Sequence, residues 1–315
     1  MSDPKLLIDM HMHSTVSDGT DSPIELLNKV KAAGIRIFGL TDHDAFQGAM
    51  ELKEYLKKHP DPDLEFHPGI EFSCYFMRPL AEGEAGPEAI TGSTTNAPDA
   101  SSTRKCKCHI LGYDYDPADP AFLSVYEEGR AKRLAKLTGR LNYLEETYGI
   151  RFSQKQLEEF ETINSVGKPH LAKAMIQAGY VEDGPDAITY AIKTYINGYK
   201  AGNDRVDAVK AISAIRQAGG IAIWAHPIGG EGEKRLTWEE FERQLTYLTA
   251  AGLQGLECHY SRYSADEESR LLSYAKTYGL WISGGSDYHG TNKNIPLAAL
   301  NNYGRTVYSE EVTWL

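Results

Sequence analysis

The 315-residue chain has little cysteine, no surplus of positive charge and no apolar run long enough to span a bilayer. Its four cysteines are Cys74, Cys106, Cys108 and Cys258. Cys106 and Cys108 form a C-x-C pair, which matches neither a zinc-finger spacing nor a C-x-x-C redox pair, so reduced thiols are expected. Lys and Arg total 33 against 44 Asp and Glu, a formal net charge of −11. That balance argues against broad binding to a nucleic-acid backbone, and long nucleic acid is not expected as a partner. It leaves room for a small phosphorylated substrate, because bound cations invert the local charge. The opening Met-Ser-Asp-Pro-Lys carries no signal-peptide pattern, so a cytoplasmic location without membrane attachment is expected. No internal repeat is visible.

What is present is an alternation of strands and helices, interrupted once. Lys5–Met10, Ile35–Leu40, Leu64–Tyr75 and Lys107–Tyr115 read as strands, with helices at Ser22–Gly34 and Ala45–Lys58. Between the last two strands, Pro79–Lys105 is rich in Gly, Ala, Ser, Thr, Pro and Glu, and is predicted to be a flexible loop. Residues 121–203 have mostly helical spacing and form a predicted helical insert. Alternation then resumes, so that residues 1–120 and 204–315 make one α/β body. The simplest architecture is a β/α barrel, or a layered α/β body, carrying that insert.

Ligand-type residues fall at the ends of these strands. His11 and His13 follow the first, and Asp42, His43 and Asp44 follow the second. Glu71 lies in the third, His109 in the fourth, and His226 ends the strand after the insert. Asp287 and His289 follow the last. Parallel barrel strands end on one face, so these residues should converge there. Imidazole and carboxylate are common ligands for zinc, manganese and iron. In Asp9-Met-His11-Met-His13 the period of two points both histidines one way, with Asp9 placed to orient an imidazole. His59 and His67 read as surface or turn residues. His259 ends a strand and is a candidate to face the pocket, and Tyr260 and Tyr263 are candidates to stack on a base or sugar.

The chain resembles the polymerase and histidinol phosphatase (PHP) family. The resemblance rests on D-M-H-M-H-S-T-V-S-D-G-T at Asp9–Thr20, G-L-T-D-H-D at Gly39–Asp44 and G-I-E-F-S at Gly69–Ser73. It continues through C-H-I-L-G-Y at Cys108–Tyr113, G-K-P-H-L-A-K-A at Gly167–Ala174, A-H-P at Ala225–Pro227 and G-S-D-Y-H-G at Gly285–Gly290. The helical insert resembles that of the small bacterial branch that hydrolyses nucleotides and cyclic phosphates. The resemblance implies a distorted (β/α)7 barrel and two or three divalent metal ions, Mn, Fe or Zn. It implies that His11, His13, Glu71 and Asp287 hold one ion, and that Glu71, bridging, holds a second with His109 and His226. Asp18, His43 and His289 would hold the third.

The activity implied is hydrolysis of small phosphate esters: nucleoside mono- or bisphosphates, or cyclic sugar or nucleotide phosphates. Glu71 and Asp287 would act through a water whose pKa the shared ions lower to about 7. Lys168 and His170 would clamp the substrate or protonate the leaving group, and Arg130, Arg133 and Arg262 are further candidate phosphate contacts. The excursion between Glu71 and His109 departs from the family pattern. So does Lys168, which stands where related sequences have Arg and acts as a point charge rather than a bidentate fork. The alternatives are an exonuclease on short oligonucleotides, a histidinol-phosphate phosphatase, a non-catalytic metal-binding module and a carbon–nitrogen hydrolase.

Overall fold

A computed structural model describes residues 5–80, 102–200, 202, 204–231 and 233–315. The chain opens with β1 (Ile8–Asp9), α1 (Pro23–Ala32), β2 (Ile37–Leu40), α2 (Gln47–Lys58), β3 (Glu65–Pro79) and β4 (Thr103–Tyr113). Four helices follow: α3 (Pro120–Tyr148), α4 (Gln154–Thr162), α5 (Lys168–Gln177) and α6 (Ala187–Thr194). Then come β5 (Val206–Asp207), α7 (Ala208–Gln217), β6 (Ile221–Ala225), α8 (Trp238–Ala250), β7 (Gly255–Tyr260), α9 (Ala265–Tyr278) and β8 (Trp281–Gly285). Among the described residues no helix is long and apolar enough to cross a membrane.

Local chemistry sets the ends of these elements. Ser22 caps α1 reciprocally with Glu25, and Pro23 occupies the first turn. Asp119 accepts hydrogen bonds from Ala121 and Phe122 at the start of α3, and Gly149, at φ 69°, ends it in the left-handed conformation.

Seven strands run in the order β1-β2-β3-β4-β6-β7-β8, with β5 paired to β3. The two ends of that path are brought together by three hydrogen bonds. Met10 N–H donates to Gly284 O (3.1 Å), Asp287 N–H to His11 O (2.8 Å) and His13 N–H to Tyr288 O (2.9 Å). The result is the distorted seven-stranded barrel that the sequence implied. One expectation is corrected: the strands are not all parallel. β4 runs antiparallel to both β3 and β6, whereas β1–β2, β2–β3, β6–β7 and β7–β8 are parallel. His109 therefore reaches the catalytic face partway along a strand, not at its end.

The proposed 79–105 loop is also corrected at its margins. Pro79 and residues 103–105 belong to the β3–β4 ladder, which runs from Gly69↔Tyr113 to Pro79↔Thr103. The ladder extends because one face stays dry: Phe76 and Cys106 are buried while Met77 and Lys105 face outward. Polar composition on the wet face disguised the strand. Residues 81–101 of that span lie outside the described residues.

Two apolar clusters fill the barrel and its helical coat, and a third joins Leu144, Phe160, Leu171, Met175 and Ile196 of the intervening helices. Helix α3 belongs to both regions. Phe122, Val125 and Tyr126 pack into the barrel cluster, and Leu144 into the helical one. At 29 residues it is about 43 Å long, so its middle crosses the catalytic face.

Candidate metal centre

The loop after β1 folds back on itself to present three ligand-type side chains. His11 and His13 alternate on an extended segment and bring their Nε2 atoms to 3.1 Å. A tight turn then returns Asp18, with Gly19 N–H donating to Ser14 O. Gly19 is required there, since a Cβ would lie 2.3 Å from His13 O. Buried Asp42 staples the turn by accepting from Ser14 N–H (2.8 Å), Ser14 Oγ (2.7 Å) and Ser17 Oγ (2.6 Å). Asp9 does the same for the last loop, accepting from Ser286 N–H, Ser286 Oγ and Ala298 N–H.

Glu71 is the centre of the cluster and is fully buried. Its Oε1 faces His109 Nδ1 (2.8 Å) and His226 Nε2 (3.1 Å). Its Oε2 faces His43 Nδ1 (2.9 Å), His13 Nε2 (3.2 Å) and His11 Nε2 (3.3 Å). Asp287 Oδ1 lies 3.3 Å from His13 Nε2, and Asp18 Oδ1 lies 3.2 Å from His289 Nε2. The nine candidate ligands read from the sequence thus form one contiguous group. Within it, His11, His13 and Asp287 are mutually close enough to share an ion, as are His13, Asp18, His43 and His289, and His43, Glu71 and His109. His226 and Asp287 adopt φ of 28° and 57°, a region costing L-residues about 1–3 kcal/mol, which the surrounding fold imposes.

The electrostatics suit cations. Burial alone would raise the carboxyls of Glu71, Asp18 and Asp287, but the charges facing them overcome it and hold all three well below their ordinary range. Those charges are the surrounding histidines and, for Asp287, chiefly Lys293. Burial pushes the His43 imidazole down to about 4 and lowers His289. Burial also works against the charged forms of His11 and His226, yet the facing acids lift His11 well above its usual value and His226 to about 10. Protons on these rings occupy the place of the positive charge that the acids demand. Glu71 Oε2, Asp18 Oδ1 and His43 Nδ1 are buried yet make no hydrogen bond among the described residues. The 2.9 Å approach of His43 Nδ1 to Glu71 Oε2 lacks hydrogen-bond alignment, an arrangement of two lone pairs that a cation would satisfy.

Three contributors escaped the sequence reading. Glu233 Oε2 lies 3.2 Å from His226 Nδ1 and groups with His109 and His226. Glu257, fully buried in β7, accepts from His11 Nδ1 (2.9 Å) and His226 N–H (2.7 Å). It takes the orienting role expected of Asp9, which instead accepts from the His11 backbone N–H (3.4 Å). Lys293 donates to Asp287 Oδ2 (2.6 Å). An acid between Leu256 and Cys258 in the strand read at Leu253–His259 was a readable signal for Glu257; Glu233 and Lys293 lie on loops without periodicity.

The remaining candidates divide. Arg133 on α3 lies against the cluster, donating to Asp44 Oδ2 (2.5 Å) and Ser73 Oγ (2.9 Å). His170 sits at the start of α5, where its Nδ1 accepts from Gly167 N–H (2.9 Å), and burial lowers its pKa. Lys168 turns to Asn197 Oδ1 (2.7 Å). Arg130 and Arg262 are ion-paired at the surface, with Glu127 and Glu231. His59 is exposed, and His67 lies within β3, paired with Asp114 at 2.6 Å. His259 points at Glu268 (2.5 Å), not the pocket, after a register shift in β7. Tyr260 and Tyr263 are fully buried and cannot stack on a ligand; their hydroxyls bond Asp287 Oδ2 (2.9 Å) and Ile228 N–H (3.0 Å).

A seven-stranded barrel with a His- and carboxylate-lined catalytic face defines a metal-binding hydrolase architecture. The model of the PHP domain matches residues 9–181, and the chain belongs to that family. It is 27% identical over 289 residues to a 3',5'-nucleoside bisphosphate phosphatase of Chromobacterium violaceum, covering 90% of this chain and 87% of the relative. It is 28% identical over 290 residues to a 5'-3' exoribonuclease of Haemophilus influenzae, covering 89% of each. A phosphoribosyl 1,2-cyclic phosphate 1,2-diphosphodiesterase of Eggerthella lenta is 27% identical, covering 92% of this chain and 97% of the relative. The fold matches a chain of Bifidobacterium adolescentis, itself assigned by inference as a metal-dependent phosphoesterase. The TM-score is 0.69 at 23% identity, with 98% of this chain and 93% of that one covered.

Because Glu257 orients one imidazole and one ligand-bearing backbone, Glu257→Gln is expected to weaken metal affinity about 10- to 100-fold. Metal titration of the purified variant checks this, and wild-type affinity would contradict the positioning role.

Proposed function

We propose that this chain hydrolyses small phosphate esters, nucleoside bisphosphates foremost, at a centre of two or three divalent ions. The observation that carries the reading is the buried Glu71 carboxylate, ringed by five imidazoles within 3.3 Å. The orphaned Glu71 Oε2, Asp18 Oδ1 and His43 Nδ1 fit ions that these atoms would share. His11, His13, Glu71 and Asp287 would hold one, Glu71, His109 and His226 a second with Glu233 beside it, and Asp18, His43 and His289 a third. Such donors suit manganese, iron and zinc. When bound, the ions supply charge neutralisation and a water acidic enough to attack phosphorus at neutral pH.

The chain's own groups do the rest. Arg133, fixed by Asp44 and Ser73, would hold a phosphoryl oxygen, a charge-assisted contact that strengthens as charge builds there. Gly167 N–H donates to His170 Nδ1, so the neutral ring carries its proton on Nε2 and can offer it to the leaving oxygen. Asp287 is locked by Tyr260 and Lys293, which keeps its other oxygen toward the histidines.

A second reading, trimming of short oligonucleotides, draws support from one feature. A cavity of about 410 Å³ is lined by His109 and His226 and by Lys107, Lys105, Arg104 and Lys234, with Glu233 and Glu240 among them, a mainly cationic surface for a strand. The test follows adenosine 3',5'-bisphosphate and nucleoside monophosphates by phosphate release, and cyclic phosphates and short oligonucleotides by chromatography of their products, with Mn, Fe or Zn added in turn. Turnover is expected on the bisphosphate. A folded protein that hydrolyses none of them with any metal would sink the reading.

A further inference from the structure

Two turns along α3 from Arg133, around Arg140, lies a feature that metal binding does not use. A cavity of about 450 Å³ is lined by Lys107, Lys136, Arg140, Lys168, Lys200 and Arg205, with Asp204 the one acid among its lining residues. In a chain of net charge −11 this is a strong local inversion. Among the described residues, Asp204 is the one carboxylate that pairs with these cations. Asp204 pairs with Lys136, Asn197 accepts from Lys168 and Lys200, and Arg205 donates to Cys108 O (3.3 Å). Arg140 is 8% exposed, and its buried Nε makes no hydrogen bond among the described residues. Burial and the repulsion of neighbouring arginines push Lys136 down to about 8 and Arg140 to about 10. A buried guanidinium N–H without an acceptor is costly, and an anion is the group that relieves both the missing bond and the repulsion.

The cavity adjoins the metal centre by two routes. Lys107 precedes His109 by two residues on β4, so both lie on one face, about 7 Å apart along the strand. Arg140 follows Arg133 by two turns of α3, about 10 Å along its axis. An anion held by Arg140 and Lys136 would therefore sit roughly one sugar's breadth from a phosphoryl group held at Glu71 and Arg133.

We propose that this cavity is a subsite for a second phosphate of the same substrate, so that the chain selects sugar or nucleoside esters bearing two phosphates over those bearing one. The inference rests on the phosphoester reading above, and names its substrate class. The binding test uses the metal-loaded protein and phosphonate analogues of the nucleotides, which cannot be hydrolysed. The analogue of adenosine 3',5'-bisphosphate should bind at least 10-fold more tightly than that of adenosine 3'-monophosphate, and Arg140→Met should erase that margin. In the metal-loaded enzyme, the ratio of kcat/KM for the bisphosphate to that for p-nitrophenyl phosphate should fall at least 10-fold in Arg140→Met, mainly through KM. Arg140→Lys should recover part of it, and Lys136→Met should act in the same direction, which separates anion binding from a folding defect. Equal losses on both substrates, or an unchanged ratio in folded Arg140→Met and Lys136→Met, overturn the subsite. An Arg140-dependent preference of 10-fold or more for a trinucleotide over the bisphosphate overturns the substrate class. If no phosphate ester is turned over yet the binding margin persists and depends on Arg140, the phosphoester reading fails while the subsite stands.

Discussion

Glu71→Gln is expected to lower phosphate release on the order of 10³-fold and to strip the protein of most of its bound metal. The substitution keeps the volume of the side chain, so the barrel should fold. It replaces one acceptor oxygen by an NH2 donor in a place where both oxygens face ring nitrogens, 2.8–3.3 Å away. An amide nitrogen cannot ligate a cation there, and the negative charge that would bind two ions together is gone. Metal analysis by mass spectrometry, run beside a phosphate-release assay, tests both halves. Wild-type turnover with undiminished metal would remove Glu71 from the centre of the mechanism.

Chelation is expected to abolish turnover and to lower Tm by about 10 °C. An ion that binds only the native state, present at about 1,000 times its Kd, stabilises it by ~4 kcal/mol, and a domain of this size loses roughly 2–4 °C per kcal/mol. The site gives the physical reason. Without ions, Glu71, Asp18 and Asp287 crowd together as anions, balanced by Lys293 and by protons on His11, His13 and His226. Thermal melts with and without chelator, followed by re-addition of Mn, Fe or Zn, provide the measurement. Superimposable melts with full activity in chelator would show that no ion is held.

Much of this organisation was legible in the sequence, and the reasons are particular. His11 and His13 share a face because an extended segment repeats every two residues, and the strand before them ends where an apolar run ends. The Asp42-His43-Asp44 and Asp287–His289 runs likewise follow apolar strands, so convergence on one face followed from barrel geometry. The family and the barrel, both read in advance, are borne out by the match to the PHP domain and by the fold. The failures share a cause, which is that pairing across the fold leaves no local trace. Glu257 meets His11 over a gap of 246 residues. Nothing near Tyr260 announces that its hydroxyl will be taken by Asp287. The direction of β4 was hidden because antiparallel and parallel strands show the same alternation. The cavity around Arg140 was invisible for the same reason: Lys168 was a candidate substrate contact, but Lys107, Lys136, Lys200 and Arg205 are spread along the chain and look individually like ordinary surface charge.

Helix α3 is one rod with its root among barrel side chains and its tip among those of the neighbouring helices. Arg133 and Arg140 ride on the same shaft, whereas the imidazoles hang from strands and the turns that follow them. Loosening the tip would swing both arginines away together and leave the ion nest untouched. Damage at the remote end should thus surface as poorer grip on substrate, with metal content intact.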